Sequence, residues 1–308
     1  MKKIVAVFGA VCMALGQVYA QGSASCDPAP SGMVGWWKGD GNGNDNVGAD
    51  NATVPTGVTY TPGEVALGFN LNGNYDDTNR ILVPDAPQLN FGPNKDFSVE
   101  AWIQPLSNPG NYTDLSGEVM TVVGKRYAPS FYTAWGYEMY LGNGRLCFQL
   151  IDSLNHGGNF YNLGVEPDLR DGEFHHVAVT VQRNSTTGLR FYVDGQLIAT
   201  FDPTAVQGDL SSTSPLRIGN HPTPGVKAFY HGVIDEVSLY NRALSSNEIA
   251  AIYNAGSAGK CPVPPTILVQ PTNQTVAVGG TATFRVSAYG TPPLFYQWSF
   301  NGTYIPGA

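Results

Sequence analysis

The pattern of apolar and polar residues predicts a chain built mainly of short β-strands. Residues 97–104 and 174–181 alternate apolar and polar positions with a period of two, which is typical of strands. Residues 189–193 and 197–200 flank the pair Asp194-Gly195, which tolerates positive φ and therefore predicts a hairpin turn.

The alternation continues in residues 231–240, where one charged residue stands out. Val233, Val237 and Leu239 fall on one row of this predicted strand, and Asp235 is in phase with them. A carboxylate on a core-facing row is strongly disfavoured unless it is paired. The pattern therefore predicts a partner for Asp235, which is either a bound cation or a set of backbone N–H groups or an arginine.

A short helix is predicted after this strand. Ser245 and Glu248 form a capping box at its start, and Gly256 supplies a stop signal. The apolar residues between them share one helical face: Ile249, Ile252 and Tyr253. A strand followed by one helix is the predicted end of a domain.

Composition supports an all-β globular fold and limits the classes of partner. Hydrophobic residues make up 42% of the chain and charged residues only 13%, while 37 glycines and 22 prolines punctuate many short elements. The formal net charge is −8, and none of the 16 basic residues form a run. Nucleic-acid binding is therefore not expected, because it needs clustered lysine and arginine.

The first 20 residues have the pattern of a secretory signal peptide. Lys2 and Lys3 precede the apolar residues 4–15, and small residues at the −3 and −1 places predict cleavage after Ala20. A membrane anchor would need about 20 apolar residues. The mature chain is therefore predicted to be secreted or held at the cell surface, without stable insertion into a membrane.

Four stretches carry a resemblance to a known family. They read MVGWWKGDGNGNDNVG, FSVEAWIQP, FHHVAVTV with LRFYVDGQLIA, and GVIDEVSLYNRALSSNEIAAIYNAG, in that order across residues 30–261. Together they resemble the laminin G-like, concanavalin A-like jelly-roll family in its bacterial pentraxin-related branch. The resemblance implies an antiparallel two-sheet jelly-roll sandwich over residues 26–261. It does not choose among the sugar-binding, adhesion and accessory modules of the family.

The resemblance also implies one disulfide. Cys12 leaves with the signal peptide, and the first and last strands of this fold are neighbours. Cys26 and Cys261 bracket the predicted jelly roll and are therefore expected to pair, as export permits. Cys147 lies in a predicted strand and is expected to be a buried apolar side chain.

Calcium is the expected cofactor. The loop of residues 39–48 is dense in side-chain oxygens and glycines, so it either wraps a cation or forms a turn-rich loop. Related jelly rolls hold one structural calcium through an aspartate of the last strand and carbonyls near the first strand. The resemblance implies Asp235 as first ligand, Asp40 as second and carbonyls near Gly73. Residues 220–222 depart from the acidic loop of pentraxins, which argues against their paired calcium site.

Aromatic residues of the long segment 108–135 are candidates for sugar binding, because the apolar face of a pyranose packs on a flat ring. The ligand-binding residues predicted here are Tyr127, Tyr132 and Trp135. In the alternative interpretation these rings fold inward as a small core of the segment.

Catalysis by this region is not predicted. Glycoside hydrolysis needs two carboxylates about 5 to 10 Å apart, and no strand shows acidic residues on one face at such a spacing. The nearest acidic residues lie in a predicted turn: Glu166, Asp168, Asp171 and Glu173. His175 and His176 are adjacent on a strand and point to opposite faces, so they cannot grip one metal ion.

The composition changes after Cys261. Residues 262–266 are a proline-rich linker, and residues 267–308 resemble the first strands of an immunoglobulin-like domain, with Trp298 in the place of its buried tryptophan. The stretch is less than half as long as the ~100 residues of such a sandwich. It is therefore predicted to be the N-terminal part of a domain.

These observations predict a secreted, non-catalytic binding or adhesion protein that recognises carbohydrate or an extracellular protein. One alternative is an accessory module of a polysaccharide-degrading enzyme whose catalytic domain lies beyond Ala308. Another is a structural spacer of a cell-surface protein.

Overall fold

The computed structural model describes residues 8–13, 26–74, 79–107, 113–114, 117–130, 133–154, 159–162, 167–221, 226–262, 264–277, 279–290, 295–301 and 303–305. The chain divides into two compact units. The larger unit is Ala24–Asp45 with Ala49–Cys261, and the smaller is Met1–Ser23, Asn46–Gly48 and Pro262–Ala308.

Strands are labelled β1 to β20 in chain order. They are β1 Phe8–Met13, β2 Met33–Trp37, β3 Thr59–Pro62, β4 Leu67–Asn72, β5 Ile81–Val83, β6 Phe97–Pro105, β7 Thr113–Asp114, β8 Gly117–Ser130, β9 Thr133–Gly142, β10 Arg145–Ile151, β11 Asn159–Asn162, β12 His175–Val181, β13 Leu189–Val193, β14 Gln196–Phe201, β15 Leu216–Ile218, β16 His231–Tyr240, β17 Thr266–Val269, β18 Ser287–Tyr289, β19 Phe295–Phe300 and β20 Thr303–Tyr304. The α-helix α1 spans Ser246–Ala255.

The described strands of the larger unit form two antiparallel sheets. Sheet I has the order β14-β13-β12-β6-β16-β4-β3, and β2 adds to β16. Sheet II has the order β11-β10-β9-β8-β15-β5, and β7 adds to β8. This arrangement confirms the predicted fold class, an antiparallel two-sheet jelly roll.

The hydrophobic core lies between the two sheets. Alternate residues of β6 enter it, and the intervening residues of the same strand are buried on the other face. The rings of Phe91 and Phe97 stack with centroids 4.3 Å apart, and Tyr137 of β9 lies 5.2 Å from each. The Tyr137 hydroxyl donates to the Leu89 carbonyl at 2.9 Å, which satisfies the buried polar atom of this ring.

Strand β16 contains a bulge that corrects the predicted phase. Its register with β6 shifts between Asp235 and Ser238, and Glu236 adopts a φ of 56°. Ile234 before the bulge and Val237 after it belong to the core. Asp235 is therefore on the face of sheet I that points away from the core, and the predicted row was wrong because one extra residue changes the alternation. Asp235 is nevertheless fully buried.

Helix α1 covers part of the outer face of sheet I. Its capping box is present as predicted: Ser245 accepts from the Glu248 backbone N–H, and the Glu248 carboxylate accepts from the Ser245 N–H at 2.8 Å. The ring of Tyr253 stacks on Trp102 of β6 with centroids 5.7 Å apart. The outer face of this sheet therefore becomes a second buried layer.

The two ends of the larger unit are joined as predicted. A disulfide links Cys26 to Cys261, with Cα atoms 4.9 Å apart. The Asp27 N–H donates to the Gly259 carbonyl at 3.0 Å, and the Cys261 N–H donates to the Asp27 carbonyl at 2.7 Å. Cys147 is buried and lies outside the disulfide, which confirms the second part of the cysteine prediction.

The smaller unit contains two described sheets. Strands β17 and β18 pair with each other, and β1, β19 and β20 form a three-stranded sheet. Trp298 is only half-buried, in contrast to the buried position expected, and its ring lies 6.4 Å from that of Phe284. The apolar strand β1 comes from the predicted signal peptide, and it pairs antiparallel with the apolar strand β19. The immunoglobulin-like assignment and the signal peptide both stay predictions.

Candidate functional site

Two of the predicted sugar-binding aromatics meet at one end of the β8–β9 hairpin. Tyr127 and Trp135 are directly opposite in the register, with ring centroids 4.3 Å apart. The Trp135 indole N–H donates to the Ser211 carbonyl at 2.9 Å. The Tyr127–Trp135 pair is therefore held in place by both the hairpin and a hydrogen bond to a neighbouring loop.

The Tyr127–Trp135 pair has features of both interpretations of the sequence, a small inward-facing core and an exposed aromatic surface. Trp135 packs against a small buried cluster that contains Ala128, Ala134 and Ile151. Tyr127 leaves 38% of its surface exposed. The rings thus form a small local core and also present an apolar surface to solvent. Tyr132, the third predicted residue, lies outside the described residues.

The structure brings Asp235 and the loop that contains Asp40 to the turn between β3 and β4. One Asp235 oxygen, Oδ2, accepts from the Val65 N–H at 2.9 Å, while the buried Oδ1 has no hydrogen-bond partner. Asp40 Oδ1 accepts from the Leu67 N–H at 3.1 Å, beside the start of β4. A Cβ added to Gly63 would lie 2.5 Å from the Asp235 carboxylate, so backbone approaches this carboxylate closely.

Gly73 is not part of this group. The register pairs His231 with Asn72 and Ile234 with Phe69, so Gly73 follows the opposite end of the β4–β16 ladder from Asp235. At about 3.3 Å per residue, more than 10 Å of strand separates the two positions. Among the described residues, no group of three acidic, histidine or cysteine side chains converges as a metal site.

The environment of Asp235 strongly disfavours its ionised form. Burial, followed by the negative charge of Glu236, raises the pKa of Asp235 to about 9. The charge of Asp40 acts in the same direction. A cation at this place would relieve the cost of ionising Asp235.

A second candidate surface is the outer face of sheet II, which is the face turned away from the core. Its central row crosses the sheet through Arg217 of β15, Gly124 of β8, Glu138 of β9 and Gln149 of β10. Direct neighbours in antiparallel strands share a face. The sheet therefore carries charged and polar side chains across its middle.

An ion pair occupies the centre of this outer face. Arg126 donates to Glu138 at 2.6 Å, and Thr121 donates to the other Glu138 oxygen at 2.7 Å. Arg126 also lies 2.8 Å from Nε2 of His221. Because arginine can only donate, this ring nitrogen of His221 accepts and the imidazole is neutral.

The electrostatics agree with that assignment. Burial, together with the positive charges of Arg126 and Arg217, lowers the pKa of His221 to about 4. Burial opposes ionisation of Glu138, but the positive charge of Arg126 and the hydrogen bonds from Thr121 and Arg126 favour its carboxylate form, and the pKa of Glu138 is lowered. The face thus holds a carboxylate, a neutral histidine and charged arginines near neutral pH.

Sequence reasoning missed this polar face. Arg217 stands between the core residues Leu216 and Ile218, and Glu138 between Tyr137 and Met139, so each reads as an ordinary solvent-facing position. The alternation predicts on which face of its strand each side chain lies, but it does not predict which strands are neighbours in the sheet. Only the order β9-β8-β15 brings these residues together.

No described helix of the chain is both long and apolar enough to cross a membrane. Comparison with curated protein sequences finds no significant match. Solved structures of similar fold include the binding domain of Paraclostridial Mosquitocidal Protein 1 (TM-score 0.54, 21% identity, 67% of this chain and 48% of that one). The botulinum neurotoxin serotype G binding domain is also similar (TM-score 0.52, 15% identity, 67% of this chain and 46% of that one).

A third similar structure is of botulinum neurotoxin type C, whose cell entry depends on interaction with two ganglioside molecules. It has a TM-score of 0.52 and 16% identity, and the match covers 73% of this chain and 51% of that one. The chain thus matches about half the length of each of these structures. At these identities the similarity concerns the fold.

The sequence comparison extends this from fold to family. A model of the concanavalin A-like lectin/glucanases superfamily, Laminin_G_3, matches residues 72–250, which is more than half of the 308-residue chain. The matched region includes β6, β12, β16 and the capping box of α1, which belong to three of the four stretches that carry the sequence resemblance. This chain therefore belongs to the concanavalin A-like lectin/glucanases superfamily.

Proposed function

We propose that this chain is an exported, non-catalytic binding module that recognises carbohydrate through the Tyr127–Trp135 pair. The observation that carries the proposal is the pair of tilted, closely packed and partly exposed rings itself. A pyranose ring packs its apolar face on such a surface while its hydroxyls stay hydrated. Export is supported by the signal-peptide pattern and by the disulfide, which persists in oxidising compartments.

The position of the pair favours recognition over a purely structural role. A hydrogen bond to Ser211 and the β8–β9 register fix the rings before any ligand arrives. Binding therefore costs little side-chain entropy. Two of the similar toxin structures are described as binding domains, and the cell entry of a third toxin depends on interaction with two ganglioside molecules, which is compatible with the same class of ligand.

Binding to a printed glycan array tests this proposal. Tyr127→Ala and Trp135→Ala should each weaken binding by at least about tenfold, because each removes half of the stacking surface. Tyr304→Ala, which removes an exposed aromatic ring elsewhere in the chain, is the matched control. Unchanged binding in both test variants would refute the assigned surface. An array on which no sugar binds would refute carbohydrate recognition and favour an extracellular protein as partner.

We also propose that Asp235 and Asp40 hold one structural calcium ion. The available donors fit a hard cation: the buried Oδ1 of Asp235 lacks a partner, a second carboxylate lies in the adjoining loop, and glycine-containing backbone approaches closely. Calcium would offset the burial and the charge repulsion that now favour the protonated form of Asp235. Its role would be to link the edge of sheet I to the loop after β2.

Thermal unfolding with excess chelator and with calcium separates this proposal from a buried, protonated aspartate. Ligand linkage predicts stabilisation by about 2.7 kcal/mol at a hundredfold excess of calcium over its Kd. Asp235→Asn should abolish the response, whereas the exposed control Asp202→Asn should keep it. Equal melting temperatures with chelator and with calcium in the parent protein would end the calcium proposal.

A further inference from the structure

Arg217 carries a positive charge that nothing described in the structure balances directly. It projects from the middle of β15 on the outer face of sheet II and is half-buried. Its Nε is buried without a hydrogen-bond partner, and it forms no ion pair within the described part of the chain. Glu138 attracts it from two strands away, but that carboxylate already binds Arg126 and Thr121.

Another buried arginine of the same protein shows what a structural role looks like. The guanidinium of Arg183 donates from Nε to the Val206 carbonyl at 2.7 Å, and from Nη2 to the Gly208 carbonyl at 2.7 Å. Its Nη1 reaches the Gly92 carbonyl at 3.3 Å. Arg183 is thus surrounded by acceptors, whereas Arg217 is repelled by the charge of Arg80. Arg217 therefore lacks the hydrogen-bond acceptors that Arg183 has, and a bound anion would supply them.

Other unused polar atoms belong to β8, to β10 three strands from Arg217, and to the residues just after β15. Nε of Arg126, Oε1 of Gln149 and Oδ1 of Asn220 are each buried without a hydrogen-bond partner, on side chains that are 6%, 2% and 1% exposed. Buried polar groups of native proteins are normally paired, so each of these atoms indicates a missing partner. Gly124 adds no side chain to the row between Arg217 and Glu138.

We propose that the outer face of sheet II binds an acidic saccharide, with Arg217 and Arg126 taking its carboxylate and the amides of Gln149 and Asn220 taking its hydroxyls. Two guanidinium donors suit a carboxylate, because arginine presents parallel N–H groups to its two oxygens. The unpartnered amide oxygens of Gln149 and Asn220 can accept hydrogen bonds, which sugar hydroxyls donate. Arg217 and Tyr140 are half-buried, so the cluster reaches the surface through them.

This inference rests on the proposed carbohydrate recognition but concerns a different surface. Arg126 and Tyr127 are neighbours on β8, so their side chains leave on opposite faces of sheet II. The acidic-saccharide surface and the Tyr127–Trp135 pair can therefore be tested by separate substitutions. The whole chain has a net charge of −8 and would repel an acidic ligand at long range. The attraction proposed here therefore comes from the two arginines close to the ligand.

Calorimetric titration with trigalacturonate and 3′-sialyllactose, against galactotriose and lactose as neutral counterparts, tests the proposal. We expect at least one acidic probe to bind more tightly than its counterpart, and more weakly as salt rises. Arg217→Met should weaken that binding by about tenfold or more, since a charge-assisted hydrogen bond is lost. Arg190→Met, at a half-buried arginine on the outer face of sheet I, should leave it unchanged.

Unfolding of the unliganded variants keeps the result interpretable. Arg217→Met should melt at the same temperature as the parent or higher, because it removes a half-buried charge without a direct partner. A lower melting temperature would show that Arg217 is structural and overturn the proposal, as would equal affinities for acidic and neutral probes. If neutral sugars bind and Trp135→Ala abolishes that binding, carbohydrate recognition stands and only this inference fails. If no sugar binds, both fail.

Discussion

The two sheets differ in how charge is balanced on the faces they turn away from the core. On sheet I, Lys260 lies 3.1 Å from Glu100 and 3.0 Å from Glu236, and all three are almost fully buried. Trp36 donates to Glu236 at 2.9 Å, and Tyr240 donates to Glu100 at 3.2 Å. On sheet II, Arg126 is paired with Glu138, but Arg217 is not paired with any described residue.

The comparison shows that burial of charge alone does not identify a functional site. The sheet I cluster is closed by α1 and by the last residues of the unit, and Glu100 and Glu236 share the charge of Lys260. Two of its buried atoms, Oε1 of Glu236 and Nδ1 of His176, have no hydrogen-bond partner. Lys260, outweighing the cost of burial, lowers the pKa of Glu100 to about 2, and the two carboxylates raise the pKa of Lys260. The sheet II cluster differs because the unused atoms include guanidinium donors and because Arg217, without a counter-charge, reaches the surface, as a ligand-binding surface requires.

The strongest test of the comparison breaks the closed cluster. Lys260→Met would leave Glu100 and Glu236 buried without their shared cation, so we expect a loss of about 3–5 kcal/mol in the free energy of unfolding. Denaturant unfolding at neutral pH measures this loss. Lys95→Met, at an exposed lysine, should change stability by less than about 0.5 kcal/mol. A loss as small as that of the control would show that the network contributes little.

The second test opens the covalent link beside Lys260. The disulfide closes a loop of 235 residues, so replacing Cys26 and Cys261 with serine should destabilise the larger unit by about 2–5 kcal/mol. The single variant Cys147→Ala should keep the sensitivity of the parent to reducing agent, because Cys147 lies outside the disulfide. Equal melting of the parent with and without reductant would contradict this prediction.

The smallest expected effect lies at the rim of sheet I, where charge is exposed. His175 bonds Asp194 at 2.9 Å and Asp171 at 3.1 Å, and these partners raise its pKa above the usual 6.5. The stabilisation is therefore present below the unfolded-state pKa and lost as pH rises through the higher folded-state pKa. It should stay under about 1 kcal/mol because both carboxylates are partly exposed.

Denaturant unfolding of His175→Gln against the parent checks this pH dependence. At pH 5.5 the free energy of unfolding of the variant should be lower than that of the parent by about 1 kcal/mol or less. At pH 9 the two proteins should be equally stable. His176, the next residue, faces Glu100 in the buried layer. The two neighbouring histidines of β12 therefore lie in different environments, one partly exposed and one buried. A difference that persists at pH 9 would mean that His175 acts by packing and not by charge.

Several features were predicted from local sequence because short-range rules govern them. The capping box at Ser245 and Glu248 needs only residues three apart, and α1 forms there. The strand pattern of residues 97–104 likewise predicts β6, whose two faces are both buried. The Cys26–Cys261 pair followed from family resemblance, since no local rule brings together residues so far apart in the chain.

Asp235 marks the limit of such rules. The alternation predicted that it faces the core, but the bulge at Glu236 moves it to the outer face. A bulge depends on pairing with β6 and β4, which period-two reasoning does not contain. The prediction that this carboxylate is buried was nevertheless confirmed, because both faces of this part of sheet I are covered.

The sequence by itself determined the all-β class and the order of strands and helix along the chain. It also indicated Tyr127 and Trp135 as aromatic candidates and gave the net negative charge. These depend on side-chain periodicity and on residue counts. The tertiary structure alone decided that Arg126, Glu138, His221 and Arg217 share one surface, and that Lys260 neutralises two carboxylates of other strands. Electrostatic energy depends on distances between atoms, and those distances are set by the order of strands in the sheets.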